Sequence, residues 1–123
     1  MQSKNMKAVT KYYSDKDIFF VKVFDGYDYK TSLELEEGVI LDFDINKNPV
    51  ALEILDASEI FKLKDNDLLN HIKKFDMNIE ITEEVIRIKV KIEFSVQNRI
   101  SSLKSMVLNT IQAPVMQTEL ASS

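Results

Sequence analysis

The sequence predicts an α+β fold: an antiparallel β-meander with a short helix, a second long β-hairpin and a C-terminal amphipathic helix. Three observations carry this. Apolar residues recur at every second position over Val39–Ile45 and Val50–Ile54, and again over Met77–Ile81 and Ile86–Val96. That period gives way to a helical one after Asn98. With only two Gly and two Pro in 123 residues, the turns fall to Asn, Asp and Lys.

In chain order, Lys7–Tyr13 is β-branched and aromatic, and Ser14–Asp17 is a polar stop. Ile18–Phe24 is apolar on both faces except Lys22, as in a covered strand, and Asp25-Gly26 follows as a turn dipeptide. Leu33 and Leu35 share one face of the next strand. Past Gly38, Val39, Leu41, Phe43 and Ile45 point one way and Ile40, Asp42 and Asp44 the other. After Asn46–Pro49, Val50, Leu52 and Ile54 resume the alternation against Ala51, Glu53 and Leu55, which makes a hairpin. Asp56, with Glu59 three residues on, reads as a helix start of capping-box type. Ile60, Phe61, Leu63, Leu68, Leu69, Ile72 and Phe75 fit one short helix or two. A second hairpin follows, Met77–Thr82 against the long strand Val85–Val96, with Glu83-Glu84 as its turn. From Arg99 to Gln112, Ile100, Leu103, Met106, Val107 and Ile111 form a helical stripe that Pro114 ends. The organisation expected is a β-meander domain over 1–63, a helix, hairpin and terminal helix over 64–113, and a flexible tail over 114–123.

Composition sets the class. A hydrophobic share of 45% supports a packed core and excludes a disordered chain. Apolar runs are too short for a transmembrane helix, and no apolar stretch follows the basic N-terminus as a secretory signal would need. The absence of cysteine excludes disulfides, thiolate zinc sites and a Cys nucleophile. With 16 Lys+Arg against 20 Asp+Glu, the chain is acidic at −4, and it is expected to be cytoplasmic with no membrane association.

The string Glu36-Glu37-Gly38-Val39-Ile40-Leu41-Asp42-Phe43-Asp44, followed by Val50-Ala51-Leu52-Glu53-Ile54-Leu55-Asp56-Ala57-Ser58, resembles the bacterial and archaeal family called domain of unknown function 2283. Tyr12 and the run Asp17-Ile18-Phe19-Phe20-Val21 stand where that family has its opening Tyr and its Asp-x-Leu-Tyr-Ile segment. The resemblance covers Lys7 to about Phe61. Tyr13, Lys16 and Asn48 depart from the family's pattern. Asn48 takes the place of a turn Gly, and Asn tolerates the positive φ such a turn needs. The resemblance implies a β-rich domain of unassigned activity, with a regulatory, antitoxin-like role as one version.

The candidate site is an acid cluster. On the hairpin, Asp42, Asp44 and Glu53 share the face opposite Leu41, Phe43, Leu52 and Ile54, at the spacing of adjacent strand positions. Such carboxylates could take Mg²⁺ or Ca²⁺, or act as an acid/base pair, with Glu36 and Asp56 as further ligands. The plain alternative is a solvated face balanced by Lys11 or Lys22. Glu36 and Glu37 also fit a role guarding the run Val39–Phe43 against edge pairing. His71, the single histidine, has no nucleophile signature beside it, and no catalytic residue is assigned. Arg87, Lys89 and Lys91 line one strand face as a nucleic-acid binder's would. The acidic balance and the facing Glu80 and Glu84 speak against that reading. No nucleotide loop, zinc-protease or hydrolase motif is present, and no cofactor is expected.

The reading is therefore a non-enzymatic, self-associating protein-interaction module, with a metal-assisted or acid/base enzyme as the alternative. A homo-oligomer is expected through Phe94, Val96, Ile100, Leu103, Met106, Val107 and Ile111. The long strand would overhang its shorter partner, and the terminal helix carries a wide apolar stripe.

Overall fold

Period-two alternation requires a covered face on each strand, and two sheets stacked face to face supply it. The computed structural model describes residues 3–23, 27–96 and 99–121. One sheet contains β2 (Val9–Tyr13), β3 (Ile18–Lys22), β4 (Tyr29–Glu36), β5 (Val39–Asp44) and β6 (Pro49–Ile54), in the order β2-β3-β6-β5-β4. The other contains β1 (Ser3–Lys7), β7 (Ile72–Ile81), β8 (Val85–Phe94), β9 (Ile100–Leu108) and β10 (Met116–Ala121), in the order β1-β10-β7-β8-β9. Pairing is antiparallel except between β1 and β10, which run parallel.

The inner faces meet in one apolar core. Phe19, Leu41, Phe43, Leu52 and Ile54 of the first sheet are fully covered, as are Phe75, Ile81, Ile86, Val90 and Ile92 of the second. Phe19 joins the layers, its ring 5.9 Å from Phe75 and edge-on to Phe61 at 6.2 Å. The chain changes sheets at Ala8, whose N–H donates to the Ala121 carbonyl at 3.0 Å. At the other side of the sandwich, β4 packs against β9. The hairpin turn before β5 needs Gly38, whose φ is +83°. A Cβ there would meet the Leu55 carbonyl oxygen at 3.2 Å and Ile60 at 3.3 Å.

Several expectations are corrected. The fold is all-β in character rather than α+β. Among the described residues, helix amounts to α1 (Ala57–Ile60) and a 3-10 turn at Asn66–Asn70. The terminal helix does not form: Ile100–Leu108 is β9, hydrogen-bonded along β8. Leu103 and Val107, four apart, satisfy a helical and a two-residue period alike. The small Ser101 and Ser105 on the same side of the strand hid its inner face. The middle helical stripe ends early, because Ile72 and Phe75 already belong to β7. That strand is as long as β8, so Phe94 lies opposite Ile72 and is buried, with no overhang. Residues 116–121, expected in a flexible tail, are a strand between β1 and β7. The positive φ of the Asn46–Pro49 turn falls on Lys47, at 64°, and not on Asn48. The turn at Asp25-Gly26 and the period change at Asn98 lie outside the described residues.

Candidate functional site

The acid cluster is where alternation places it, but it is not a solvated face. Asp42 and Asp44 are 5% and 9% exposed, and Glu53 is half-buried. Asp42 lies opposite Ala51 and Ser32, and Glu53 lies opposite Ile40 and Phe20, so the two acids are diagonal neighbours across β5 and β6. The Ser32 hydroxyl donates to Asp42 Oδ1 at 2.6 Å, and the exposed Tyr29 hydroxyl is 2.7 Å from Ser32 Oγ. Burial, then the hydrogen bond and negative charge of Asp42, push the Glu53 carboxyl up to about 7. The arrangement is a line of exchangeable protons from Tyr29 through Ser32 and Asp42 to Glu53.

The other candidates are not drawn in. Asp44 Oδ1 accepts the Asn46 and Asn48 N–H groups, each at 2.9 Å, and so builds the β5–β6 turn. Glu36 is exposed at the β4–β5 turn, opposite Val39. Asp56 is exposed before α1 and makes no side-chain cap. Among the described residues, no three acids or histidines gather closely enough to hold a metal ion.

The cap comes instead from Asp17, which the motif reading passed over. Its carboxylate accepts the Tyr12 hydroxyl at 2.6 Å, the Ser58 hydroxyl at 2.6 Å and the Ser58 N–H at 3.1 Å. Burial and the bond to Asp17 push the Tyr12 phenol up to about 12. Tyr12, Asp17 and Ser58 are three of the residues that carry the family resemblance, and together they tie the β2–β3 turn to α1. The signal was therefore in the sequence, though its meaning is structural. His71 closes the 3-10 turn, exposed, with Nε2 3.2 Å from Asp67 Oδ2. The Asn70 amide and His71 beside it hold the Asp67 carboxyl below the ordinary range.

The basic stripe lies on the outer face of the second sheet. Arg87 pairs with Glu80 at 3.0 Å, Lys91 lies opposite Asp76, and Lys89 lies opposite Asn78. A groove of about 550 Å³ crosses this face, lined among others by Asn78, Glu80, Arg87, Lys89, Lys104 and Glu119.

At the side of this sheet, β9 is the last strand. Ile100, Met106 and Leu108 are 56%, 53% and 65% exposed, and Val96 just before it is also exposed. Of the other residues expected at an interface, Phe94 and Leu103 are buried in the core, and Val107 and Ile111 pack partly against it.

Two stacked five-stranded sheets, a hydrogen-bonded Tyr–Asp–Ser cap and a paired acid on the hairpin define a small β-sandwich protein. The chain belongs to the family described as "Protein of unknown function (DUF2283)", whose model matches residues 10–58. It is 38% identical over 112 residues to a Methanosarcina mazei protein named "Putative hypoxanthine phosphoribosyltransferase", covering 87% of this chain and 88% of that one. It is 34% identical over 89 residues to an uncharacterized protein of Methanocaldococcus jannaschii, covering 71% of this chain and 76% of the relative. No solved structure matches the chain. The matched region of the family spans β2 to α1, that is, the first sheet and its cap. No helix among the described residues is long and apolar enough to cross a membrane.

Proposed function

We propose that the protein is a non-enzymatic interaction module that associates with a second copy of itself through β9. The observation that carries this is the edge of the second sheet: among the described residues, the nine of β9 have no strand hydrogen-bonded on the far side, although β4 packs nearby, and they expose Ile100, Met106 and Leu108 on one face. An apolar edge of that length is a template for another strand, and a two-fold axis lets the same strand serve both copies. Lys104 sets the register. An axis through it would oppose two ammonium groups, whereas an axis through Ser105 sets Lys104 beside Met106 of the second copy and Ser102 beside Leu108. Light scattering at micromolar protein is expected to give twice the chain mass of 14.2 kDa. Met106→Lys with Leu108→Lys is expected to return it to the single mass while the circular dichroism stays that of a β protein. A wild-type mass of one chain would overturn the reading.

The alternative, acid–base chemistry at Asp42 and Glu53, is favoured by one observation, the Glu53 carboxyl raised to about 7. The Methanosarcina mazei relative's name likewise suggests an enzyme, a transferase. Against both stands placement: the acid pair is on the outer face of the first sheet and the groove on the outer face of the second, so the pair does not face the groove. Calorimetric titration with Mg²⁺, Ca²⁺ and Mn²⁺ separates the readings. Binding tighter than about 0.1 mM that Asp42→Asn abolishes would favour the enzyme.

A further inference from the structure

We propose that the groove on the outer face of the second sheet binds a phosphate monoester bearing hydroxyl or amino groups, the chemistry of a sugar phosphate or a nucleoside monophosphate. The phosphoryl group lies between Lys89 and Lys104, and the donors reach Asn78 and Glu119. This goes beyond the interaction reading and uses the face of the sheet rather than its edge.

The argument starts from the charge ladder. On β7 and β8, each charged residue of β8 but one meets its opposite directly across: Arg87 meets Glu80, Lys91 meets Asp76, and Glu93 meets Lys74. The exception is Lys89, which meets Asn78 on one side and a second ammonium, Lys104, on the other. Like charges directly opposed on a sheet are destabilising. Among the described residues, neither lysine has a carboxylate partner. Next to this uncompensated pair, the Asn78 side chain lines the groove, and its Oδ1, turned away from solvent, has no hydrogen-bond partner among the described residues, so the amide gives up no bond of that oxygen by turning it toward a donor in the groove. Both features lie in one row, Glu119–Asn78–Lys89–Lys104, across four adjacent strands.

One ligand answers both. An anion between the two ammoniums removes their repulsion, and an O–H or N–H one and a half strand spacings away, about 7 Å, satisfies Asn78. Glu119, one strand further, accepts from a second donor. The two carboxylates in the groove, Glu80 and Glu119, also restrict the ligand. They repel a second anionic group, so a monoester fits where a polyphosphate or a nucleic-acid backbone does not. A volume of about 550 Å³ is that of a small-molecule site.

The test is calorimetry at low salt with four probes: adenosine 5′-monophosphate, ribose 5-phosphate, adenosine and inorganic phosphate. The two esters are expected to bind with Kd below about 1 mM. Adenosine and inorganic phosphate, each lacking one half of the recognition, are expected to bind at least tenfold more weakly. Lys104→Gln and Lys89→Gln should each weaken the esters about tenfold. Asn78→Asp, which completes the ladder with an acid, should abolish binding while leaving the protein folded and no less stable to urea. No ester binding, ester binding unchanged by Lys104→Gln, or adenosine or inorganic phosphate binding as tightly as the esters would each overturn the site. The oligomeric mass is read separately, so loss of self-association leaves this outcome unaffected.

Discussion

Glu53 is the side chain whose protonation the fold most alters. Its carboxyl titrates near 7 in the folded protein against 4.5 for the free group, so between those values the native state binds more protons than the unfolded chain. Stability must then fall as pH rises through that window, and the penalty is complete above it. Glu53→Gln is expected to match the wild type at about pH 4 and to exceed it at about pH 8 in urea midpoint. Equal pH dependence for the two proteins would show that the fold does not raise the Glu53 carboxyl. Asp44 acts as an acceptor, anchoring two backbone N–H groups of the turn. Asp44→Ala should cost about 1–3 kcal/mol by leaving them without their acceptor. In the core, Thr118 is 2% exposed and its hydroxyl has no partner among the described residues. Thr118→Val, which keeps the shape and removes the stranded hydroxyl, should raise stability by about 1 kcal/mol in the same assay.

At the level of elements, the hairpin β5–β6 was legible because apolar and polar residue types alternate along it, and its inner residues are those the pattern named, although the outer positions are largely covered too. Phe43 is fully buried, and Phe43→Ala should cost about 3–5 kcal/mol, measured by denaturant unfolding. The acid face was legible in position but not in environment: alternation says which way Asp42 points, not that half-buried Phe20, Lys22 and Ile40 flank it. β9 was misread for a physical reason. A residue pair four apart fits both periods, and what decided between them was the open edge of β8, whose N–H and C=O groups demanded a strand. The helix start had the right place and the wrong cap. Asp17, 41 residues from Ser58 along the chain, supplies the carboxylate, and no local spacing rule reaches that far.

For the whole molecule, the decisive contact joins the two ends of the chain. β1 pairs with β10 in parallel, Ser3 beside Gln117 through Lys7 beside Ala121, and β10 in turn pairs with β7. Residues 116–121 are therefore a structural insert of the second sheet. Without them β1 has no partner in its sheet, and β7 is left as an unpaired ten-residue edge. Leu120, 1% exposed, would also leave the core, together with the half-buried Met116. A chain ending at Ala113 is expected to unfold, or to aggregate through the bared edge of β7. The check is a comparison of near-ultraviolet circular dichroism and light scattering for the truncated and full chains. Because the pairing of β1 with β10 closes a loop of the entire chain, its entropy must be offset late in folding. Leu120→Ala, a milder change in the same strand, should therefore accelerate unfolding while leaving the folding rate nearly unchanged. Slower folding in that variant would place the joining of the chain ends in the transition state instead.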